Sequence, residues 1–306
     1  MWTYTLRRVL LTLPTLLLVI TVCYLLLHFT PGGPFDTERK IPAEVLANLQ
    51  AKYHLNDPLW KQYLFYLRDL LHGDLGASFR YADWKVDDLV RSALPVSLMV
   101  GGISMVLAVI LGVALGMIAA LYRNSPADYL LMLISNFGSV VPSFVIGPVL
   151  ILLFAIKLKW LPAGGWNGYD PRFMVLPVTL LTLISMATIG RVTRASLIEV
   201  MNAGFIRTAR AKGLPRRTIV MRHALRPMLL PVVSVIGPLA IASITAAVVT
   251  ESVFSLPGLG KLIVNGAGNR DYTLVLGLVV LVTVVSVVLN LLVDLAYAAL
   301  DPKIRY

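Results

Sequence analysis

The sequence is poor in charge and in cysteine, and both shortages limit what the protein can be. Only 14% of its 306 residues are charged and 58% are apolar, whereas about 25% of residues are charged in soluble domains. Together with a mean hydropathy of +0.79, this composition predicts an integral membrane protein. Cys23 is the only cysteine, so no disulfide can form within the chain.

The chain also lacks the residue patterns of catalytic, metal and cofactor sites. Its four histidines show no metal-ligand spacing, and no Ser/His/Asp or paired-acid constellation is present. The nearest approach to a GxxxxGK[ST] phosphate loop, at residues 257–261, lacks the first glycine and is followed by Leu262. We therefore predict no catalytic residue, no metal and no bound cofactor here. A membrane protein without an energy source of its own would have to be driven through a partner or act as a passive channel.

Six apolar runs have the length of a membrane span. They comprise residues 9–29, 96–122, 129–156, 173–190, 228–250 and 273–293. The first contains 21 residues, and at about 1.5 Å per residue it covers roughly the 30 Å of the hydrocarbon core. The predicted fold is an all-α integral membrane protein with six transmembrane helices.

The distribution of Lys and Arg predicts the orientation of these spans. Fourteen lie in segments that would be cytoplasmic if the N-terminus is inside, and five lie in the short external loops. This asymmetry predicts a multi-pass protein of a bacterial inner membrane with both termini in the cytoplasm. The net charge of +11 is spread over short loops between spans, which disfavours nucleic acid as a partner.

The predicted domains follow from the spans: an N-terminal transmembrane helix (1–30), an external helical insertion (31–95), a core transmembrane domain (96–300) with a cytoplasmic loop (191–227), and a cytoplasmic tail (301–306). Two short helices are predicted in the insertion, at 41–53 and 57–73. The second is amphipathic. It either packs on the membrane surface or the helix bundle, or forms part of a vestibule that touches an external partner.

Proline and glycine interrupt some of the spans. Pro142 in the third run and Pro231 and Pro238 in the fifth predict kinks, because proline removes a backbone hydrogen bond. Small residues predicted to let helices approach closely are Gly101, Gly112 and Gly116.

The cytoplasmic loop 191–227 is the most basic part of the chain, with nine Lys or Arg against one acid, Glu199. The sequence predicts a short helix that ends at Gly213, followed by a second helix from Arg216 to Arg222. The residues alone leave two interpretations of this charge open: contact with anionic lipid headgroups, or a docking surface.

A resemblance favours the docking surface. RTARAKG at 207–213, followed by RHALRP at 222–227, resembles the cytoplasmic coupling loop of binding-protein-dependent ABC transporter permeases of the dipeptide and oligopeptide branch. Arg207, Thr208 and Ala209 stand where the family has Glu-Ala-Ala, so no glutamate contact is expected. The likeness extends over nearly the whole chain and includes TPGGPFD, LPAGGWNG, SLPGLGKL and DPKIRY.

This resemblance implies a permease that carries oligopeptides across the inner membrane by alternating access, coupled to separate ATPases through residues 205–215. The implied coupling residues are Arg207, Thr208, Ala209, Arg210, Ala211, Lys212, Gly213 and Leu214. The implied partners are a homologous second permease subunit, two cytoplasmic ATP-binding subunits that hold ATP and Mg, an external oligopeptide-binding protein, the peptide and membrane lipid. The alternatives are a passive channel, or a permease for another small solute such as a dipeptide or nickel.

Overall fold

The computed structural model describes residues 2–29, 57–81 and 84–300, and nearly all regular structure in these ranges is helical. The helices are α1 (Trp2–Phe29), α2 (Leu59–Leu71), α3 (Val86–Leu121), α4 (Pro126–Val140), α5 (Ser143–Leu150), α6 (Arg172–Met201), α7 (Gly204–Ala211), α8 (Leu225–Val253), α9 (Leu259–Gly268) and α10 (Tyr272–Leu300). The helix predicted at 41–53 and the tail 301–306 lie outside the described residues.

Each predicted span contains apolar helical structure. Among the described residues, four helical stretches are long and apolar enough to cross a membrane: Val86–Leu121, Arg172–Met201, Arg216–Ile244 and Tyr272–Val293. The shorter apolar helices Leu13–Phe29 and Ser143–Lys157 coincide with the first and third runs. The all-α membrane fold is confirmed, and the count of six spans stays a prediction.

Helix α3 begins about ten residues before the apolar run that predicted it. Its first turn carries Asp87 and Asp88, which favour a helix N-terminus because they complement its dipole. The early turns also have an apolar side that is buried in one cluster with residues of α9 and α10. The buried members of that cluster are Val86, Leu89, Val90, Ala93, Leu259, Leu274 and Leu278.

The third apolar run is divided where proline predicts a kink. Helix α4 ends at Val140, and α5 begins at Ser143, directly after Pro142. The chain then continues as a wider π-helical segment, Ile151–Lys157. In α8, by contrast, Pro231 and Pro238 lie inside one helix.

Helix α6 is central to its part of the bundle, since 67% of its apolar window is buried. A Cβ at Gly116 would lie 2.5 Å from the carbonyl oxygen of Gly190, and a Cβ at Gly112 would lie 2.8 Å from Ile189. The prediction of close approach is therefore confirmed at these two glycines. For Gly101 it stays a prediction, since nothing in the described chain lies within 4 Å of a Cβ placed there.

Contacts within the chain form two units. One comprises Met1–Val96 with Pro257–Val285, and the other Ser97–Leu256 with Ser286–Tyr306. In the first unit, the buried Asp271 accepts hydrogen bonds from the Ser78 hydroxyl, from the Phe79 N–H (3.2 Å) and from the Leu274 N–H (3.2 Å). Because Leu274 is in the first turn of α10, Asp271 caps that helix and holds the chain around residue 78 against it.

Candidate functional site

The predicted coupling residues lie on and just after α7, a short helix with one buried and one exposed side. Its buried residues are Ile206 and Ala209, at 0% and 6% exposure. They belong to an apolar cluster whose other buried members come from α6, from the segment before α8 and from α8 itself: Leu197, Ile219, Ala224 and Met228. The inner side of α7 is thus packed directly on two of the long helices.

The remaining predicted residues point outward, except for one. Arg207, Thr208, Arg210, Ala211, Lys212 and Gly213 are exposed, whereas Leu214 is half-buried against the cluster. The structure therefore separates the predicted set: Ala209 and Leu214 pack inside the chain, and the three cations with Thr208, Ala211 and Gly213 lie on its exposed side.

Two of the exposed cations also hold the end of α6. The Arg207 guanidinium donates to the carbonyl of Asn202 at 3.3 Å, and that of Arg210 donates to the carbonyl of Met201 at 3.1 Å. These carbonyls belong to the last residue of α6 and to the residue that follows it, where backbone acceptors lack partners within the helix and attract positive charge. Helices α6 and α7 are therefore joined at their corner by side-chain hydrogen bonds.

The end of α7 has the geometry of a Schellman motif. The Gly213 N–H donates to the Arg210 carbonyl at 2.9 Å, and the Leu214 N–H donates to the Ala209 carbonyl at 3.3 Å. Gly213 has a φ of +74°, a left-handed conformation that glycine adopts without the penalty of a Cβ. The prediction that Gly213 ends this helix is confirmed, and the glycine is exposed in the turn that follows α7.

The chain returns to the bundle directly after this turn. A short helical turn, Arg216–Thr218, continues through the π-helical segment Ile219–Ala224 into α8. The Arg216 guanidinium donates to the carbonyl of Leu121, the last residue of α3, at 2.6 Å. The ends of α3, α6 and α8 all contact the segment around α7.

A buried ion pair, which sequence reasoning missed, connects a fourth helix to this region. Asp128 in the first turn of α4 is 1% exposed. The Arg194 guanidinium donates to both of its carboxylate oxygens, at 2.7 and 2.6 Å, and the Asn124 N–H adds a third hydrogen bond at 2.9 Å. Hydrogen bonding to Arg194 holds the pKa of Asp128 below its usual value, because these bonds favour the charged form.

Some of these features had a signal in the sequence. Ile206 and Ala209 are apolar residues three positions apart inside a basic stretch, which is the spacing of a helix face that packs inward. Asp128 is the only acid in the short predicted cytoplasmic loop between the second and third apolar runs. A carboxylate so close to the membrane is expected to pair with a cation. Nothing in the sequence selects Arg194, 66 positions away, among the nine cations of the loop.

Comparison with known proteins decides the family. The family described as "Binding-protein-dependent transport system inner membrane component" matches residues 112–306, which include the whole of the site described above. The chain belongs to this family. It is therefore a multi-pass permease subunit of a bacterial inner-membrane transport system, and the resemblance seen in the coupling loop is confirmed at the level of the family.

Relatives extend the likeness to the full chain. The oligopeptide transport system permease protein OppB of Haemophilus influenzae is 53% identical over 300 residues, covering 98% of each chain. OppB of Escherichia coli K12 is 53% identical over 303 residues, 99% of each chain. The dipeptide transport system permease protein DppB of Bacillus subtilis is 41% identical over 302 residues, 99% of this chain and 97% of that protein.

Solved structures support the fold. An inward-facing structure of the MetNI methionine ABC transporter matches with a TM-score of 0.60 at 17% identity, covering 70% of this chain and 96% of that one. At this identity the likeness concerns the fold alone. The role rests on the family and the permease relatives: the chain is the membrane subunit of an importer whose ATPase activity lies in separate subunits.

Proposed function

We propose that this permease carries oligopeptides across the inner membrane by alternating access, and that the energy enters through α7 and the turn at Gly213. The support for the substrate is the 53% identity to permeases named for oligopeptide transport. The support for the entry point is the position of α7. Its inner side is buried in the cluster around Ile206, and its outer side together with the next residue, Lys212, exposes three cations.

The proposed partners follow the same arrangement. A homologous second permease subunit completes the pathway, two cytoplasmic subunits bind ATP and Mg, and an external binding protein delivers the peptide. Arg207, Arg210 and Lys212 provide donors for acidic or carbonyl groups of an ATPase subunit. Ala211 and Gly213 leave room for a close approach, because neither has a side chain beyond a single methyl group.

In this mechanism the subunit does no covalent chemistry. Closure of the ATPases on ATP displaces α7, and α7 moves the ends of α3, α6 and α8 through the contacts of Arg216, Arg210 and Ile206. The spans then close the pathway on one side and open it on the other. Peptide passes between the two permease subunits, and no residue of this chain is required to be catalytic.

The experiment that tests this function is reconstitution of the chain with its partner subunits in liposomes. ATP hydrolysis and peptide uptake are measured with and without peptide-loaded external binding protein. We expect stimulated ATP hydrolysis and uptake in the native importer, and loss of both stimulation and uptake when Arg207 and Arg210 are changed to Glu. Arg217→Glu, the same change at an exposed cation outside the predicted coupling residues, is the matched control.

Two other outcomes would select the alternatives. Passage of peptide or ions through liposomes that contain the chain without any ATPase would establish a passive channel. Uptake that is blocked by dipeptides or nickel but not by longer peptides would keep the importer and change its substrate.

A further inference from the structure

Helices α4 and α6 contact each other through polar groups at more than one level. At their cytoplasmic ends, the Arg194 guanidinium donates to both carboxylate oxygens of Asp128, at 2.7 and 2.6 Å. Further along α4, the Ser135 hydroxyl donates to the carbonyl of Ala187 at 3.2 Å. The two contacts are seven residues apart on each helix, which is about two helical turns. They therefore lie on one line along the interface between α4 and α6.

A close approach of the two backbones continues this line. A Cβ at Gly138, three residues after Ser135, would overlap the carbonyl group of Leu183, which lies four residues before Ala187. Each step forward on α4 is thus matched by a step back on α6, as in two antiparallel helices. Ser135 and Gly138 are both buried, so the line lies inside the helix pair.

The ion pair resists sliding of one helix along the other. Apolar contacts alone resist it weakly, because hydrophobic attraction has no direction. A guanidinium that donates to both oxygens of one carboxylate, by contrast, requires a defined distance and orientation. Asp128 is 1% exposed, and the Asn124 N–H holds it in place from its own side at 2.9 Å. The pair with Arg194 therefore fixes the register between α4 and α6.

The position of α6 gives this register a place in the transport cycle. Helix α6 ends at the corner with α7, where Arg210 donates to the carbonyl of Met201 at 3.1 Å. Arg194 lies seven residues before this end, which is about two helical turns. In the proposed mechanism, displacement of α7 reaches α6 at this corner. Arg194 is thus placed to pass it on to Asp128 and α4.

We propose that Asp128 and Arg194 are positioning residues that make α4 move with α6 as one body during transport. This inference rests on the proposed function, because it takes α7 as the point at which the displacement enters. The first part of the third apolar run, up to its interruption at Pro142, then follows α6 and needs no contact of its own with an ATPase subunit.

A covalent link that can be opened and closed between α4 and α6 tests this proposal. A Cβ at Gly190 would lie 3.1 Å from the Ser135 Oγ, which is close enough for a disulfide between cysteines at these positions. Ser135→Cys and Gly190→Cys are combined with Cys23→Ser, so that the chain has one pair of thiols. The complete importer is reconstituted in liposomes. The disulfide is closed with copper phenanthroline, opened with dithiothreitol and followed by maleimide labelling of the unfolded chain.

The readout is the amount of peptide taken up per ATP hydrolysed. We expect the same ratio with the disulfide closed and open, because helices that move as one body tolerate a link between them. Loss of uptake on closure that is restored on opening would overturn the proposal, and so would failure of the disulfide to form. Importer with Cys23→Ser alone, treated identically, controls for oxidation of the partner subunits. Absence of ATP-driven peptide uptake in this control before oxidation would instead contradict the proposed function.

Removal of the ion pair from the same variant is the complementary test. With Asp128→Asn and the disulfide open, we expect the ratio of uptake to hydrolysis to fall several-fold. Closure should restore it, because the disulfide replaces the lost link. A merely structural role would lower uptake and hydrolysis in proportion and leave the ratio unchanged. An unchanged ratio, or one that stays low after closure, would overturn the proposal. Glu199→Gln, at an exposed acid of α6, is the matched control and should keep the ratio.

Discussion

Two short amphipathic helices outside the predicted spans, α2 and α7, are attached to the protein in different ways. Helix α2 has no buried residue and contacts α1 through Tyr63 and Tyr66. Helix α7 buries Ile206 and Ala209 in a cluster shared with α6 and α8. The exposed side of α2 is apolar, whereas that of α7 carries cations.

This difference determines how firmly each helix is held. A close-packed interior transmits displacement because its parts cannot deform independently. The attachment of α7 to several long helices therefore suits an element that passes force into the membrane domain. Helix α2 contacts α1 without burying any of its residues, so its attachment is the weaker of the two.

The largest expected effect is at the buried side of α7. Ile206→Asp places a carboxylate in the apolar cluster, where an unpaired charge costs several kcal/mol. We expect the purified importer to lose most of its thermal stability in detergent, measured as a fall in melting temperature or failure to assemble. Phe205→Asp, at the neighbouring position that is half exposed, should leave the melting temperature nearly unchanged. Equal effects of the two changes would show that α7 is not packed as described.

The second effect concerns the ion pair at the end of α4. Asp128→Asn leaves Arg194 without its carboxylate. Breaking a buried pair costs about 3–5 kcal/mol. Because 28% of the Arg194 side chain remains accessible to water, we expect a loss of about 2–3 kcal/mol in denaturant unfolding. Glu199→Gln, an exposed acid on α6, is the control and should stay within about 0.5 kcal/mol; a smaller loss for Asp128 than for Glu199 would contradict the assignment.

The same pair predicts a pH dependence. The pKa of Asp128 is lower in the folded protein than its usual value, so the unfolded chain binds this proton more readily. Its contribution is fully present above the unfolded pKa of about 3.9 and is lost as the pH falls through the lower folded pKa. The stability difference between the native protein and Asp128→Asn should be constant near neutrality and should shrink below about pH 4. A difference that grows on acidification would contradict the described pair.

The sequence predicted those features that depend on local patterns. The six apolar runs contain apolar helical structure, Pro142 interrupts the third run, and Gly213 ends α7, because each of these follows from hydropathy, from the missing N–H of proline or from the conformational freedom of glycine. The same local signals predicted a helix after Pro215, which begins at Arg216.

The sequence did not predict features that depend on distant partners. Helix α6 continues to Met201, past the first cations of the basic loop, because Thr193, Ser196 and Leu197 are buried against other helices. In the same way, the pairing of Asp128 with Arg194 requires a helix packing that no local pattern encodes. The burial of Ala209, unlike the exposure of its neighbours Arg210 and Ala211, also depends on other helices, because it results from packing in the apolar cluster.

The smallest stability effect is expected at α2. Tyr63→Phe removes the hydroxyl that contacts Thr21 but keeps the ring beside Tyr24, so the loss should be about 0.5–1.5 kcal/mol. Thr21→Val removes the other partner of this hydrogen bond, and the double variant should lose less than the sum of the two single losses. A loss as large as that of Ile206→Asp would show that α2 is as firmly built into the protein as α7.

Peptide uptake by the reconstituted importer with a changed Gly213 tests the central claim most directly. Nothing in the described chain lies within 4 Å of a Cβ at Gly213, so the first atom of a side chain there would meet open space. Gly213→Val adds left-handed strain of about 1–2 kcal/mol, whereas Gly213→Asn adds similar bulk with less strain, because asparagine tolerates this conformation. Gly204→Ala, at the exposed start of α7 where a Cβ also meets open space, is the control. We predict that both Gly213 variants are inserted and assembled but lose uptake while Gly204→Ala keeps it; unchanged uptake with Gly213→Asn would contradict coupling through this turn.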